Sequence, residues 1–152
     1  MASLYDELKA LVSALNEEQV PYALCGGLAM AVHGCPRSTV DIDFLAPPNS
    51  AERILEVGAR LGFTLPTANL QFKEGVQLKR ISKLRGPDEE VLMLDVLLAA
   101  PPLETAWEKR QQIPWEGRIV WVISRDGMIQ MKSLRGSDQD RADIAALKES
   151  AP

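Results

Sequence analysis

The chain is 152 residues long, carries a formal net charge of −4, and is 25% charged and 46% hydrophobic. These values suit one globular domain over residues 1–152 with a real core, and they exclude wholesale disorder. No apolar run approaches the roughly 20 residues that cross a bilayer, and no basic-then-apolar leader opens the chain. A soluble, cytoplasmic protein with no membrane partner is therefore expected.

Net acidity gives no general electrostatic drive toward nucleic acid, although Lys73, Lys79, Arg80, Lys83 and Arg85 are close enough in sequence to form a local basic face. A solvated strand face is the favoured reading of that run. Cys25 and Cys35 are too few for a disulfide framework, and with His33 as the one histidine no His/Cys metal cluster is available.

In chain order, Leu4, Leu8, Leu11 and Leu15 recur at helical spacing and predict an amphipathic helix over 3–18, broken by Pro21. Tyr22-Ala23-Leu24-Cys25 is a short buried strand, and Gly26 to about Val32 is a buried helix beginning at the glycines. A loop over 34–38 leads to a strand from Val40 to Leu45. Pro47-Pro48-Asn49-Ser50 closes that strand and caps a helix over about 51–61, ending at Gly62. Val76 to Leu84 alternates imperfectly and is joined by the turn Gly86-Pro87-Asp88 to the apolar strand Val91 to Leu98. Residues 103–112 read as helix and Arg118 to Ile123 as the last strand. Ser124 caps a helix running through Met128, Met131 and Leu134, and a closing helix spans about Gln139 to Lys148. Mixed helices and strands of this kind make an α/β or α+β layer structure.

Within this frame, one constellation carries chemistry. A glycine pair at a helix start, Gly26-Gly27, can bring backbone N–H groups up to the β and γ phosphates of a nucleotide. Asp41 and Asp43, at i and i+2 on a strand, point to the same side. Asp95 is isolated in an otherwise apolar strand, and an unpaired buried carboxylate is costly enough that it should face a metal, a cation or a cleft. Together Asp41, Asp43 and Asp95 offer oxygen ligands suited to Mg²⁺ or Mn²⁺. Two such ions about 3.5–4 Å apart can clamp the attacking and leaving oxygens of an in-line displacement. The ion at Asp41 and Asp43 would bind the triphosphate. The other would activate an acceptor hydroxyl, with Asp95 as ligand and proton acceptor.

The order and spacing of Gly26-Gly27, Asp41-Ile42-Asp43 and Asp95 resemble the polymerase β-like nucleotidyltransferase superfamily, and in particular the small bacterial AbiEii-type group. The segment from Leu24 to Phe44, with His33-Gly34, Arg37 and Thr39, and Met131-Lys132 followed by Asp140-Arg141-Ala142-Asp143, are similar to that group. The resemblance covers nearly the whole chain. It implies a mixed central sheet flanked by helices, with Asp41, Asp43 and Asp95 as catalytic and metal-binding residues. It also implies NTP as substrate, an enzyme moving NMP to an acceptor hydroxyl of RNA, protein or a small molecule, and a toxin–antitoxin context. Many members carry Gly-Ser, whose hydroxyl touches a phosphate; here Gly27 supplies only its N–H. Several relatives have a large helical C-terminal domain, whereas this chain ends soon after its last predicted helix, so a homodimer or partner protein is expected to complete the acceptor site. The alternative is a catalytically inactive antitoxin or regulatory binding protein retaining the fold. A remoter one is an α/β protein whose acids bind Ca²⁺ structurally.

Arg37 is a candidate phosphate ligand through its forked donors, or a salt bridge that orders its loop, to one of the catalytic acids for example. Lys132 reaches a triphosphate or snorkels beside Met128 and Met131; the resemblance favours the first. Asp140 and Asp143 are read as structural contacts of Lys132 or Arg141. His33 reads as a packed helix-end residue, Cys25 as core, and Trp107, Trp115 and Trp121 as core or interface aromatics.

Overall fold

A computed structural model describes residues 3–67, 69–71, 75–86, 88 and 90–150; Lys73 of the basic run and Pro87 of the predicted turn lie outside these. Helix α1 is Leu4–Glu17, fixed at its start by reciprocal bonds between Ser3 and Asp6, and its stripe of Leu8, Leu11, Val12 and Leu15 is fully buried. Each such leucine contributes roughly 1.5–3 kcal/mol by leaving water. Strand β1 (Ala23–Cys25) runs directly into α2 (Gly26–Val32), and β2 (Asp41–Ala46) follows the loop after α2.

Helix α3 is Pro48–Arg60, starting earlier than the predicted 51. Pro48 occupies the first helical position, where its missing N–H and fixed φ cost nothing, so Asn49 and Ser50 lie inside the helix rather than capping it. Two short strands not expected from the sequence, β3 (Leu65–Pro66) and β4 (Leu70–Gln71), then pair with β5 (Gln77–Arg85), which forms a long hairpin with β6 (Glu90–Leu98).

The predicted helix over 103–112 is corrected by the structure. Helix α4 covers only Glu104–Glu108, and Gln111–Trp115 is strand β7, paired antiparallel with β8 (Arg118–Val122). The turn explains the switch: Glu116 and Gly117 both take positive φ, 51° and 77°, as a two-residue hairpin of matched twist requires. Cross-strand pairing there outweighs weak helical propensity, and Pro114 is tolerated because β7 is an edge strand. Helices α5 (Arg125–Arg135), capped by Ser124, and α6 (Asp138–Glu149) close the chain.

The sheet has the order β3-β5-β6-β2-β1-β8-β7, with β4 beside β5. Its β2–β6 and β1–β8 pairs are parallel while β1–β2, β5–β6 and β7–β8 are antiparallel, so the sheet is mixed, as expected. Phe44, Leu94, Val96, Val122 and the α1 leucines share one apolar core. Among the described residues no helix is long and apolar enough to cross a membrane.

Candidate active site

Strand register assembles the site. Cys25 pairs with Asp43, Asp43 with Asp95, and Asp95 with Arg80, so one row crosses β1, β2, β6 and β5. Asp41 lies two residues before Asp43, on the same side of β2. This row floors a cavity of about 640 Å³ whose walls include Gly26, Gly27, Thr39, Met131, Lys132 and Arg135. All seven residues expected from the sequence line it: Gly26, Gly27, Arg37, Asp41, Asp43, Asp95 and Lys132.

The carboxylates of Asp41 and Asp43 accept no hydrogen bond and enter no ion pair among the described residues. Burial, then the negative charges of Asp95 and Asp41, push the Asp43 carboxyl up to about 7. Asp41 is also raised, first by burial and then by Asp95. Asp95 differs, because Arg80 Nε and Nη2 donate to its two oxygens at 2.6 and 2.9 Å. Asp95 is 3% exposed, and this cation is what makes its burial tolerable. Among the described residues no group of three His, Cys, Asp or Glu side chains is gathered closely enough to hold a metal ion. The donor set nonetheless fits a divalent cation at Asp41 and Asp43: two carboxylates on the same side of one strand, without partners among the described residues, their ionised forms held back by burial and by the charge of Asp95, are the hard-oxygen environment Mg²⁺ or Mn²⁺ takes.

The glycines are required sterically. Gly26 has φ +69°, and a Cβ there would lie 2.3 Å from Asp43 Oδ2. A Cβ at Gly27 would lie 2.6 Å from both Cβ and Oγ1 of Thr39. The Thr39 side chain therefore stands where a side chain at 27 would project, and its hydroxyl makes no hydrogen bond among the described residues. That is a physical reason for glycine rather than serine at this position.

On the opposite wall Lys132 is buried rather than snorkelling, and its Nζ donates to Asp143 Oδ2 at 2.8 Å. Arg37 Nε donates to the same carboxylate at 2.9 and 3.1 Å, and Gln139 Nε2 at 2.9 Å. The Arg37 bridge thus ties its loop to α6, not to one of the three acids on the sheet. Beside it, Arg135 and Ser137 donate to the fully buried Asp140. Burial pushes Asp140 upward, but the Arg135 and Ser137 bonds outweigh it and bring the carboxyl down to about 2. Asp143 is lowered as well, Lys132 and Arg37 overcoming its burial.

The remaining expectations concern packing. His33 Nε2 lies 2.6 Å from the Ile123 carbonyl, and Cys25 is buried. Trp107 and Trp121 stack on the Arg110 guanidinium at 3.7 and 4.7 Å, and Trp115 meets Tyr5, which makes them structural aromatics rather than a base-stacking platform. Arg80, Arg135 and Thr39 were not singled out for the site by the sequence. Arg80 enters through the hairpin register, in which Arg85 pairs with Glu90 and Arg80 therefore stands opposite Asp95.

The profile of the family described as nucleotidyltransferase of unknown function (DUF6036) matches residues 1–148. The chain belongs to that family. The expectation of a nucleotidyltransferase family is thereby met. No curated protein sequence matches the chain. Among solved structures it is similar to the candidate nucleotidyltransferase TM1012 of Thermotoga maritima, with TM-score 0.64 and 14% identity over 95% of this chain and 91% of that one. It is also similar to ANT(2'')-Ia in complex with adenylyl-2''-tobramycin, with TM-score 0.62 and 15% identity over 94% of this chain and 86% of that one. At these identities the likeness shows a shared nucleotidyltransferase fold.

Proposed function

We propose that the protein is a metal-dependent nucleotidyltransferase that moves NMP from an NTP to an acceptor hydroxyl. The observation carrying this reading is the row of Asp43 and Asp95, with Asp41 beside it, on the floor of a cavity large enough for a nucleotide. Asp41 and Asp43 would hold Mg²⁺ or Mn²⁺. When bound, the ion neutralises triphosphate charge and stabilises departing pyrophosphate.

The protein's own groups supply the rest. Gly26 and Gly27 let the backbone approach the phosphates, and the Thr39 hydroxyl faces the same space. Lys132 and Arg37, which line the cavity with their charges shared by Asp143, are candidate phosphate ligands. The acceptor oxygen attacks the α-phosphorus, the bond to the bridging oxygen of pyrophosphate breaks, and the acceptor proton passes to the Asp95 carboxylate. That carboxylate retains lone pairs beyond the two that receive Arg80. The ANT(2'')-Ia complex contains an adenylylated small molecule, which supports a hydroxyl-bearing acceptor without fixing which one. The AbiEii-type grouping, a toxin–antitoxin context, a cytoplasmic setting and a dimer or partner chain completing the acceptor site belong to this same proposal.

The test is NTP binding with Mg²⁺ or Mn²⁺, followed by labelled-NTP transfer in lysate of the source cell. Wild type is expected to bind NTP and label one class of molecule, and Asp43→Ala to abolish NTP binding and lower labelling by at least roughly 10²–10³-fold. NTP binding that is absent, or indifferent to Asp43, overturns the reading. One observation, the closure of Asp95 by Arg80, favours a non-catalytic binding protein with this fold. Pyrophosphate release that depends on Asp95 rules that second reading out.

A further inference from the structure

The three acids on the sheet are not equivalent. The Asp41 and Asp43 carboxylates have no hydrogen-bond or ion-pair partner among the described residues, whereas both oxygens of Asp95 already receive a guanidinium at 2.6 and 2.9 Å. We infer that Arg80 takes, at Asp95, the place of a second divalent cation, so that the site binds one metal ion, at Asp41 and Asp43. This inference rests on the nucleotidyltransferase reading and departs from the two-ion arrangement expected from the acids alone.

The pairing is built into the sheet rather than formed by a chance rotamer. Arg80 is the cross-strand partner of Asp95, and Asp95 of Asp43, so backbone register places a fixed positive charge two strands away from the metal-binding pair. The bridge is two-pronged, and the side chains are only 24% and 4% exposed, so water does little to loosen it. A divalent ion at Asp95 would have to displace both donors and leave a half-buried guanidinium without its partner. A planar guanidinium also carries its charge permanently and cannot lose a proton to make room. Consistent with this, the described residues gather no three-carboxylate cluster: the third acid is turned to Arg80.

Electrostatically, the site then presents one exchangeable cation and one built-in cation along the same row. Arg80 acts on the ligand through Asp95, holding that carboxylate in a fixed orientation, and is therefore a positioning residue.

Manganese stoichiometry decides the matter without reference to turnover. The purified protein is titrated with Mn²⁺ alone and free ion is followed by electron paramagnetic resonance. Wild type is expected to bind one ion, Asp43→Asn none, Arg80→Lys one, and Arg80→Gln two. The second ion should disappear in the Arg80→Gln, Asp95→Asn double variant. Far-ultraviolet circular dichroism confirms that each variant is folded, and Arg80→Lys keeps a cation in place should Arg80→Gln fail to fold. Two ions on wild type, or a single ion on folded Arg80→Gln, overturn the role of Arg80 while leaving the nucleotidyltransferase reading intact. With Arg80→Gln unfolded, a second ion on Arg80→Lys overturns it and a single ion supports it. No ion on wild type overturns both.

Discussion

On the sheet side of the cavity the Asp41 and Asp43 carboxylates stand without partners among the described residues, and burial, then the charges of Asp95 and Asp41, hold Asp43 at about 7. On the helical side the buried carboxylates Asp140 and Asp143 are each held by several donors, and Asp140 is brought down to about 2 despite its burial. The two regions share one cavity and differ in what completes their charge. The α5–α6 wall is complete by itself, so removing one of its members should damage the fold. The β2 wall is incomplete without a ligand, so removing its members should damage binding and relieve the fold.

The largest expected effect lies on the complete side. Lys132→Ala leaves Asp143 buried with Arg37 and Gln139 but without its ammonium, and should destabilise the protein by about 3–5 kcal/mol. Urea unfolding followed by circular dichroism measures it. A loss below about 1 kcal/mol would mean that the network is loosely held and that the contrast between the walls is weak.

Next comes transfer itself. Asp43→Ala should lower nucleotidyl transfer by roughly 10²–10³-fold or more, as losing a principal electrostatic partner of the reacting phosphates does elsewhere. The same variant should be no less stable than wild type, because the lost carboxylate had no hydrogen bond to lose. Pyrophosphate release and a melting curve on one sample separate the two halves of this prediction.

Acidity sharpens the comparison further. The Asp43 carboxyl has an ordinary value of 3.8 and is raised to about 7 in the fold, first by burial and then by Asp95 and Asp41, so the folded state holds its proton more tightly than the unfolded one. Stability from this group is full below about 4 and is lost as pH rises through about 7. Asp43→Asn should remove that slope and stabilise the protein at pH 8 by roughly 1–3 kcal/mol, and a bound divalent ion should flatten it likewise. Melting temperature against pH, with and without Mg²⁺, reads both. Asp140 predicts the opposite sign: its stability is present above 3.8 and lost as pH falls through about 2.

How far the sequence revealed these two walls follows from how local each signal is. Glycines entering a helix and acids at i and i+2 on a strand are near neighbours, so Gly26, Gly27, Asp41 and Asp43 were legible, and isolation in an apolar strand gave Asp95. Arg80 was not, because its meeting with Asp95 depends on where the hairpin turns. The turn read at 86–88 leaves the register one residue uncertain, and in a strand one residue reverses the face. Lys132 and Asp143 lie eleven residues apart on two helices, and only the packing of α5 on α6 buries them together. Strand β7 was hidden for a similar reason, since the residues that make it a strand sit across the Glu116-Gly117 turn in β8.

The smallest predicted effect concerns two helix starts of the same chemistry in different surroundings. Ser3 and Ser137 each close a capping box with an aspartate three residues on, but Ser3 and Asp6 are solvent-exposed while Asp140 is fully buried and also holds Arg135. A lost cap costs about 1 kcal/mol. Ser3→Ala should fall at the lower end, near 0.5 kcal/mol, because water replaces the missing bonds at a fraying terminus. Ser137→Ala should cost about 1–2 kcal/mol, because it also removes a donor from a buried carboxylate that water does not reach. Unfolding curves for the two variants measure the difference. Equal losses would show that Arg135 and the backbone N–H of residue 137 satisfy Asp140 without the hydroxyl, and that the helical wall is held by its ion pairs rather than by the Ser137 side chain.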